Sequence, residues 1–303
     1  MLQIEGLTKA YGNKIVLDNL NLTVEQGDIY GFLGPNGSGK TTTIRAVLGL
    51  VNYQKGNVIL NGFDIKKDFK KSIQKVGAVV ETPRFFENYS GYWNLKVMAD
   101  FYDHVPRKRI DEVLEIVGME KRAKEKVKTY SLGMKQRLGI ARALIHSPEL
   151  VILDEPTNGL DPQGMKEVRE MIIQLSIEQN ITFFVSTHLL SEVEVLCNKV
   201  CILKRGQKIE EGVVKKLLNK DYEVLDIYTP SVKKAMDCLI RDNRVISINP
   251  FSEGFKIEVQ QGYADKIVKI LVEDNVPVRY VIPRNQSLED YFIEQTKGGE
   301  HIA

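Results

Sequence analysis

Gly34-Pro35-Asn36-Gly37-Ser38-Gly39-Lys40-Thr41 decides how this chain is read. It has the form Gly-x-x-x-x-Gly-Lys-Thr, a cradle for phosphate. Glycines let backbone N–H groups turn inward and approach phosphate oxygens with no side chain in the way. A helix that follows points its N-terminus at the same anion. Lys40 is expected to reach the β- and γ-phosphates, and the Thr41 hydroxyl to ligate Mg²⁺, with Thr42 next in the cradle. The context fits: Ile29-Tyr30-Gly31-Phe32-Leu33 reads as a short buried strand and Thr42 to Leu50 as a helix. By itself the cradle leaves kinases, GTPases and many ATPases open.

Outward from the cradle, Ile4 to Leu7 and Leu20 to Val24 read as strands, with a turn at Gly27-Asp28. Asp111 to Val117 and Met134 to Ile145 carry helical spacing, and the chain from Pro83 to Lys128 reads as mostly helical. Leu150 to Leu153 and Ile181 to Val185 are continuous apolar runs, as expected of parallel strands buried on both faces. Val200 to Leu203 and Lys208 to Glu211 read as a hairpin around Gly206. The expected fold is α/β up to about residue 218. From 219 to 303 the predicted order is βαββαβ: Tyr222 to Tyr228, Val232 to Ile240, Val245 to Ile248, Phe255 to Val259, Ala264 to Glu273, Val278 to Ile282. That order is ferredoxin-like, and Leu288 to Thr296 would add a short final helix.

Bulk properties narrow the field. A chain of 303 residues accommodates two domains. A net charge of +2 gives no reason to expect a nucleic-acid partner. Cys197, Cys201 and Cys238 are too few for a disulfide framework and suit a reducing cytoplasm. The stretch Met1-Leu2-Gln3-Ile4-Glu5-Gly6 lacks a basic-then-apolar pattern, so no secretory leader is expected. No run approaches the roughly 20 apolar residues that cross a bilayer. Service to a membrane is therefore expected from the cytoplasmic face, through a separate partner.

Asp154 and Glu155 close the run Val151-Ile152-Leu153. Acids at the end of a buried parallel strand sit where ligands bind, although they can also serve as a helix cap. Here Asp154 is expected to hold Mg²⁺ through water and Glu155 to take a proton from the attacking water.

With these residues in place, the chain over about 1–218 resembles the ATP-binding subunit of an ABC transporter. That family's signature is usually Leu-Ser-Gly-Gly-Gln; here Tyr130, Ser131, Leu132, Gly133 and Met134 stand in its place, and Lys135 to Leu144 continue the match. The resemblance implies a mixed core sheet with a β-subdomain and a helical subdomain. It implies that Ser131 and Gly133 meet ATP held by a second copy of the chain, in a homodimer. It likewise implies that Asp161 lies in the loop between the two sites, that His188 contacts the γ-phosphate and positions water, and that Tyr11 stacks on adenine. Glu81 stands where the family usually has Gln, beside Mg²⁺ and water, and a carboxylate can fill either duty.

The Glu81-Thr82-Pro83 form and the stretch Phe85 to Leu95 resemble the bacitracin-export and lantibiotic-protection branch. Phe85, Phe86, Tyr89, Tyr92 and Trp93 fall where a membrane subunit docks in that family. The resemblance implies an ATP- and Mg²⁺-dependent motor of a peptide or drug exporter, paired with a polytopic permease and peripheral on the inner face of the membrane. The C-terminal residues 219–303 carry no phosphate, metal or nucleophile pattern and are expected to be an accessory domain. Leu288 to Phe292 resembles the end of export ATPases. A soluble ATPase of the same family, acting on ribosomes or DNA, is the alternative. Such proteins carry two cassettes or a long coiled coil, and neither is found here. A metabolite kinase would leave Ser131 to Arg142 and His188 without a use.

Overall fold

The computed structural model describes residues 1–218, 222–284 and 288. They fall into two units, Met1–Val214 and a second beginning at Lys215.

In the first unit, burial changes from alternating to continuous, and two sheets follow that change. Leu2, Ile4, Leu7, Leu20, Leu22 and Val24 point inward from β1 (Leu2–Tyr11) and β2 (Lys14–Val24), with exposed residues between them. Such alternation marks an antiparallel sheet with one solvated face. With β4 (Lys55–Leu60) and β5 (Phe63–Asp64) they form a four-stranded sheet in the order β2-β1-β4-β5.

By contrast, β3 (Ile29–Leu33), β7 (Leu150–Asp154) and β8 (Thr182–Thr187) are buried at every position. They are central strands of a six-stranded sheet that also holds β6 (Val76–Val79), β9 (Lys199–Lys204) and β10 (Gln207–Val213). Its order is β10-β9-β3-β8-β7-β6. The pairs β9-β3, β3-β8, β8-β7 and β7-β6 are parallel, while β10 returns antiparallel to β9.

Leu20, Phe32, Ile44, Leu60 and Phe184 share one core between the antiparallel sheet and the mixed sheet. There the Phe184 ring lies 5.7 Å from Tyr30 and 5.2 Å from Phe32. A second core joins the other face of the mixed sheet to the helices. α1 (Lys40–Val47) follows β3, and α2 (Phe69–Ile73) precedes β6. α3 (Gly91–Ala99), α4 (Lys108–Ile116) and α5 (Leu132–Leu144) make a helical layer between β6 and β7 in the chain. α6 (Pro162–Gln179) and α7 (Leu190–Leu196) complete the set, and α8 (Val214–Leu218) begins at the unit's last residue.

Three of these helices begin on side-chain caps. Ser90 Oγ accepts from Trp93 N at 3.1 Å, Ser131 Oγ from Met134 N at 3.2 Å, and Asp161 Oδ1 from Gly164 N at 3.1 Å. Each cap is worth about 1 kcal/mol.

The second unit is the antiparallel βαββαβ arrangement read from the sequence. Its elements are β11 (Tyr222–Tyr228), α9 (Val232–Leu239), β12 (Val245–Phe251), β13 (Gly254–Gln260), α10 (Ala264–Glu273) and β14 (Tyr280–Arg284). The strand order β12-β13-β11-β14 is ferredoxin-like. Leu225, Ile227, Phe255, Ile257 and Val259 pack against Leu239, Ile267 and Leu271. The expected final helix Leu288–Thr296 lies outside the described residues, apart from Leu288, which is buried.

Candidate functional site

β3 runs straight into the glycine loop, and α1 begins at Lys40 after Gly39 in a left-handed conformation, φ +115°. Gly37 is also left-handed, φ +79°. A side chain at Gly34 would overlap the Leu203 carbonyl and the Ser38 hydroxyl, so the loop can follow this path only with glycine there. The first-turn amides of α1 have no intrahelical partners, as at any helix start. Lys40 is 5% exposed, and its ammonium donates to the Gly34 carbonyl at 2.7 Å and the Pro35 carbonyl at 3.3 Å.

β7 lies two strands from β3, across β8, and delivers the acids to the same edge. Asp154 is buried and accepts the Ser186 hydroxyl at 2.5 Å. Glu155 follows in a left-handed conformation, φ +50°, held by its N–H donating to the Ser186 carbonyl and hydroxyl at 3.1 Å each. A non-glycine residue in that region is strained, and such strain gathers at functional sites. The strain aims the carboxylate between two partners. Its Oε1 lies 3.2 Å from Lys40 Nζ, and its Oε2 lies 2.7 Å from His188 Nδ1. His188 comes from just beyond the end of β8, so three parallel strands supply the three groups.

Asn36, Gly37, Gly39, Lys40, Thr41, Thr42, Glu155 and His188 line one cleft of about 660 Å³. Lys14, Ile15, Val16, Asn158 and Arg205 complete its wall, and none of them belongs to a sequence motif. The available signal was the Arg205-Gly206 turn closing a hairpin. Tyr11 stands half exposed at the end of β1, directly opposite Lys14 in the hairpin register, with Lys9 Nζ 4.4 Å from its ring centre.

Ser131, Gly133 and Asp161 are not in that cleft. They line a second one of about 420 Å³, where α5 and α6 begin. Arg137 of α5 meets Glu167 of α6 across it at 3.4 Å. Glu81 is in neither cleft. It is left-handed at φ +58°, mostly exposed, and its carboxylate pairs with Arg45 on α1. Further along, Phe86 and Tyr89 are exposed, and the Tyr89 and Trp93 rings stack at 4.0 Å. This segment is tied to α5 by Lys135 Nζ donating to Glu87 at 2.7 Å.

A cradle, an acid pair at a parallel strand end and a histidine closing on the second acid form the arrangement expected of a nucleoside triphosphate hydrolase. The ABC transporter family model matches residues 17–158. BcrA of Bacillus licheniformis, described as a bacitracin transport ATP-binding protein, is 42% identical over 300 residues, covering 99% of this chain and 98% of its own. SrtF of Streptococcus pyogenes, a lantibiotic transport ATP-binding protein, is 42% identical over 211 residues, covering 70% of this chain and 90% of its own. Among solved structures, the dimeric ATP-binding cassette MJ0796 bound to ADP and phosphate superposes with TM-score 0.64 at 26% identity. That match covers 71% of this chain and 99% of the cassette. The chain belongs to the ABC transporter ATP-binding proteins and is an ATPase of that family. No helix of the described residues is long and apolar enough to cross a membrane.

Proposed function

We propose that this chain is the motor subunit of an exporter that clears antimicrobial peptides of the bacitracin or lantibiotic kind. It acts as a homodimer on a separate polytopic permease at the inner face of the membrane. The division of the site between two clefts carries the dimer reading. Lys40, Glu155 and His188 converge in one, while Ser131, Gly133 and Asp161 lie in the other. Two copies related by a two-fold axis would bring the second set of each onto the nucleotide of its partner. The MJ0796 cassette is dimeric in its solved form, which supports the same arrangement. The peptide substrate class is supported by what BcrA and SrtF transport.

Mg²⁺ fits the donors present. The Thr41 hydroxyl lines the cleft, and the Asp154 carboxylate is fixed by Ser186 with one oxygen to spare. Among the described residues no group of three or more His, Cys, Asp and Glu side chains could hold a metal. Phosphates and water would supply the remaining ligands, and the ion would neutralise charge on the phosphates. Lys40 would leave its loop carbonyls for the β- and γ-phosphates. Glu155 would take the proton of the attacking water. His188, with Nδ1 on Glu155, would turn Nε2 toward the γ-phosphate. ATP would close the dimer and hydrolysis would reopen it, moving the permease between two states.

Deleting the gene and measuring growth inhibition tests the reading. Raised sensitivity to bacitracin or a lantibiotic, restored by the wild-type chain and not by Lys40→Ala, is expected. Unchanged sensitivity to both, or co-purification with ribosomes instead of a membrane protein, would overturn it.

A further inference from the structure

The hairpin between β9 and β10 closes through two residues, Arg205 and Gly206, with Lys204 and Gln207 paired across it. Both central residues are left-handed, at φ +50° and +82°. Two-residue loops of that type favour Asn-Gly or Asp-Gly, because short polar side chains and glycine tolerate the left-handed region. Arginine gains nothing locally there. Gly206 itself is required, since a side chain on it would overlap the Val16 carbonyl.

Backbone bonds fix the turn in the wall of the cleft. Gly206 N donates to the Ser38 carbonyl at 2.8 Å, inside the phosphate loop, and Asp18 N donates to the Gly206 carbonyl at 3.0 Å. Two other polar side chains of the hairpin are engaged: Gln207 donates to Asp18 at 2.8 Å, and Lys208 pairs with Glu211 at 2.6 Å. Arg205 has no ion pair or side-chain hydrogen bond among the described residues, and it lines the cleft. A local rule broken without a local gain points to a functional reason.

We propose that Arg205 is a nucleotide contact, its guanidinium bonding a phosphate oxygen of bound ATP or ADP from the β9–β10 turn in the cleft wall. This rests on the ATPase reading and adds to it a phosphate ligand outside the motif residues. The guanidinium fork suits phosphate oxygens. The turn, tied to Ser38, moves with the loop that carries the phosphates.

The experiment compares Arg205→Gly, Arg205→Asn and Arg205→Lys in the full chain. ATP and ADP are titrated calorimetrically with Mg²⁺, and each variant is melted without nucleotide. Gly and Asn suit the turn better than Arg, so their melting temperatures are expected at or above wild type. Their affinities for both nucleotides fall about tenfold, the loss of one charge-assisted bond, and Lys retains part of the affinity. Opposite signs in the two readouts separate a ligand contact from a structural role. Wild-type affinity in Arg205→Gly would overturn the proposal, as would weakened binding accompanied by a lowered melting temperature. A wild-type chain that bound neither nucleotide would overturn the ATPase reading with it.

Discussion

Replacing Glu155 with Gln changes the chemistry of the cleft while sparing its shape. The two carboxylate oxygens have different partners, Lys40 Nζ at 3.2 Å and His188 Nδ1 at 2.7 Å. An amide of the same size keeps a carbonyl oxygen for Lys40. It turns its NH₂ toward Nδ1, which accepts when His188 carries its proton on Nε2. Both contacts survive, so the phosphate loop and ATP binding are expected to survive too. What disappears is an oxygen basic enough to take a proton from water. Loss of a positioned general base costs about 10²–10⁴ in rate, or about 2.7–5.5 kcal/mol of barrier. Phosphate release at saturating MgATP measures the loss. Calorimetric titration checks binding, and light scattering with ATP is expected to show an accumulated dimer. Turnover at the wild-type rate would remove Glu155 from the role of base. Lost ATP binding would refute the isosteric reasoning, because it would mean that the negative charge itself holds Lys40 in place.

Other expectations follow from geometry. Tyr11→Phe should bind ATP as wild type does, since stacking needs only a flat ring. Tyr11→Ala should bind about 2- to 12-fold more weakly, as a stacking contribution of about 0.5–1.5 kcal/mol requires; equal affinity in both would exclude stacking. Gly77→Ala puts a methyl group against the Ala143 carbonyl where β6 packs on α5. Overpacking of this kind costs about 1–3 kcal/mol, read as a melting temperature about 3–10 °C lower in a unit of this size. Asp242 is held down to about 2 by the Tyr263 hydroxyl at 2.7 Å, by the backbone N–H of Arg244 and by the Arg244 guanidinium. A depressed carboxylate stabilises the fold above its unfolded pKa of about 3.9, and that stability is lost as pH falls through about 2. Asp242→Asn should therefore be less stable than wild type at pH 7, with the difference closing between about pH 4 and pH 2. A gap unchanged across that window would contradict the assignment.

Much of the architecture was legible because periodicity and burial agree. Continuous apolar runs at Leu150 to Leu153 and Ile181 to Val185 became β7 and β8, and the second unit has the βαββαβ order read from its pattern, in a sheet of order β12-β13-β11-β14. Lys55–Leu60 and Val76–Val79 were less legible. The first mixes Lys, Gly and Asn with its apolar residues, and the second is short and carries a glycine, so neither reads as a strand without its neighbours. Helix α1 ends at Val47, short of the expected Leu50, because Gly49 is left-handed and Leu50 N turns back to the Arg45 carbonyl.

The cradle residues could be named from spacing because their chemistry is local. Lys14, Val16, Asn158 and Arg205 could not. They reach the cleft through strand pairing and a turn, which only the fold brings beside the loop. Glu81 is named from its place in the chain alone. Its position in the chain suggests a metal ligand, while its carboxylate rests on Arg45.

In the proposed dimer Ser131 would carry two duties on one oxygen. As the cap of α5 its Oγ accepts from Met134 N, using a lone pair. A hydroxyl has two lone pairs and one proton, so the proton remains available to an incoming phosphate. Alanine at this position would erase both duties together, and a dead variant could not say which mattered. Aspartate would keep the helix start while removing the proton and adding repulsion toward phosphate. Comparing the two variants separates the scaffold's share of that serine from the motor's.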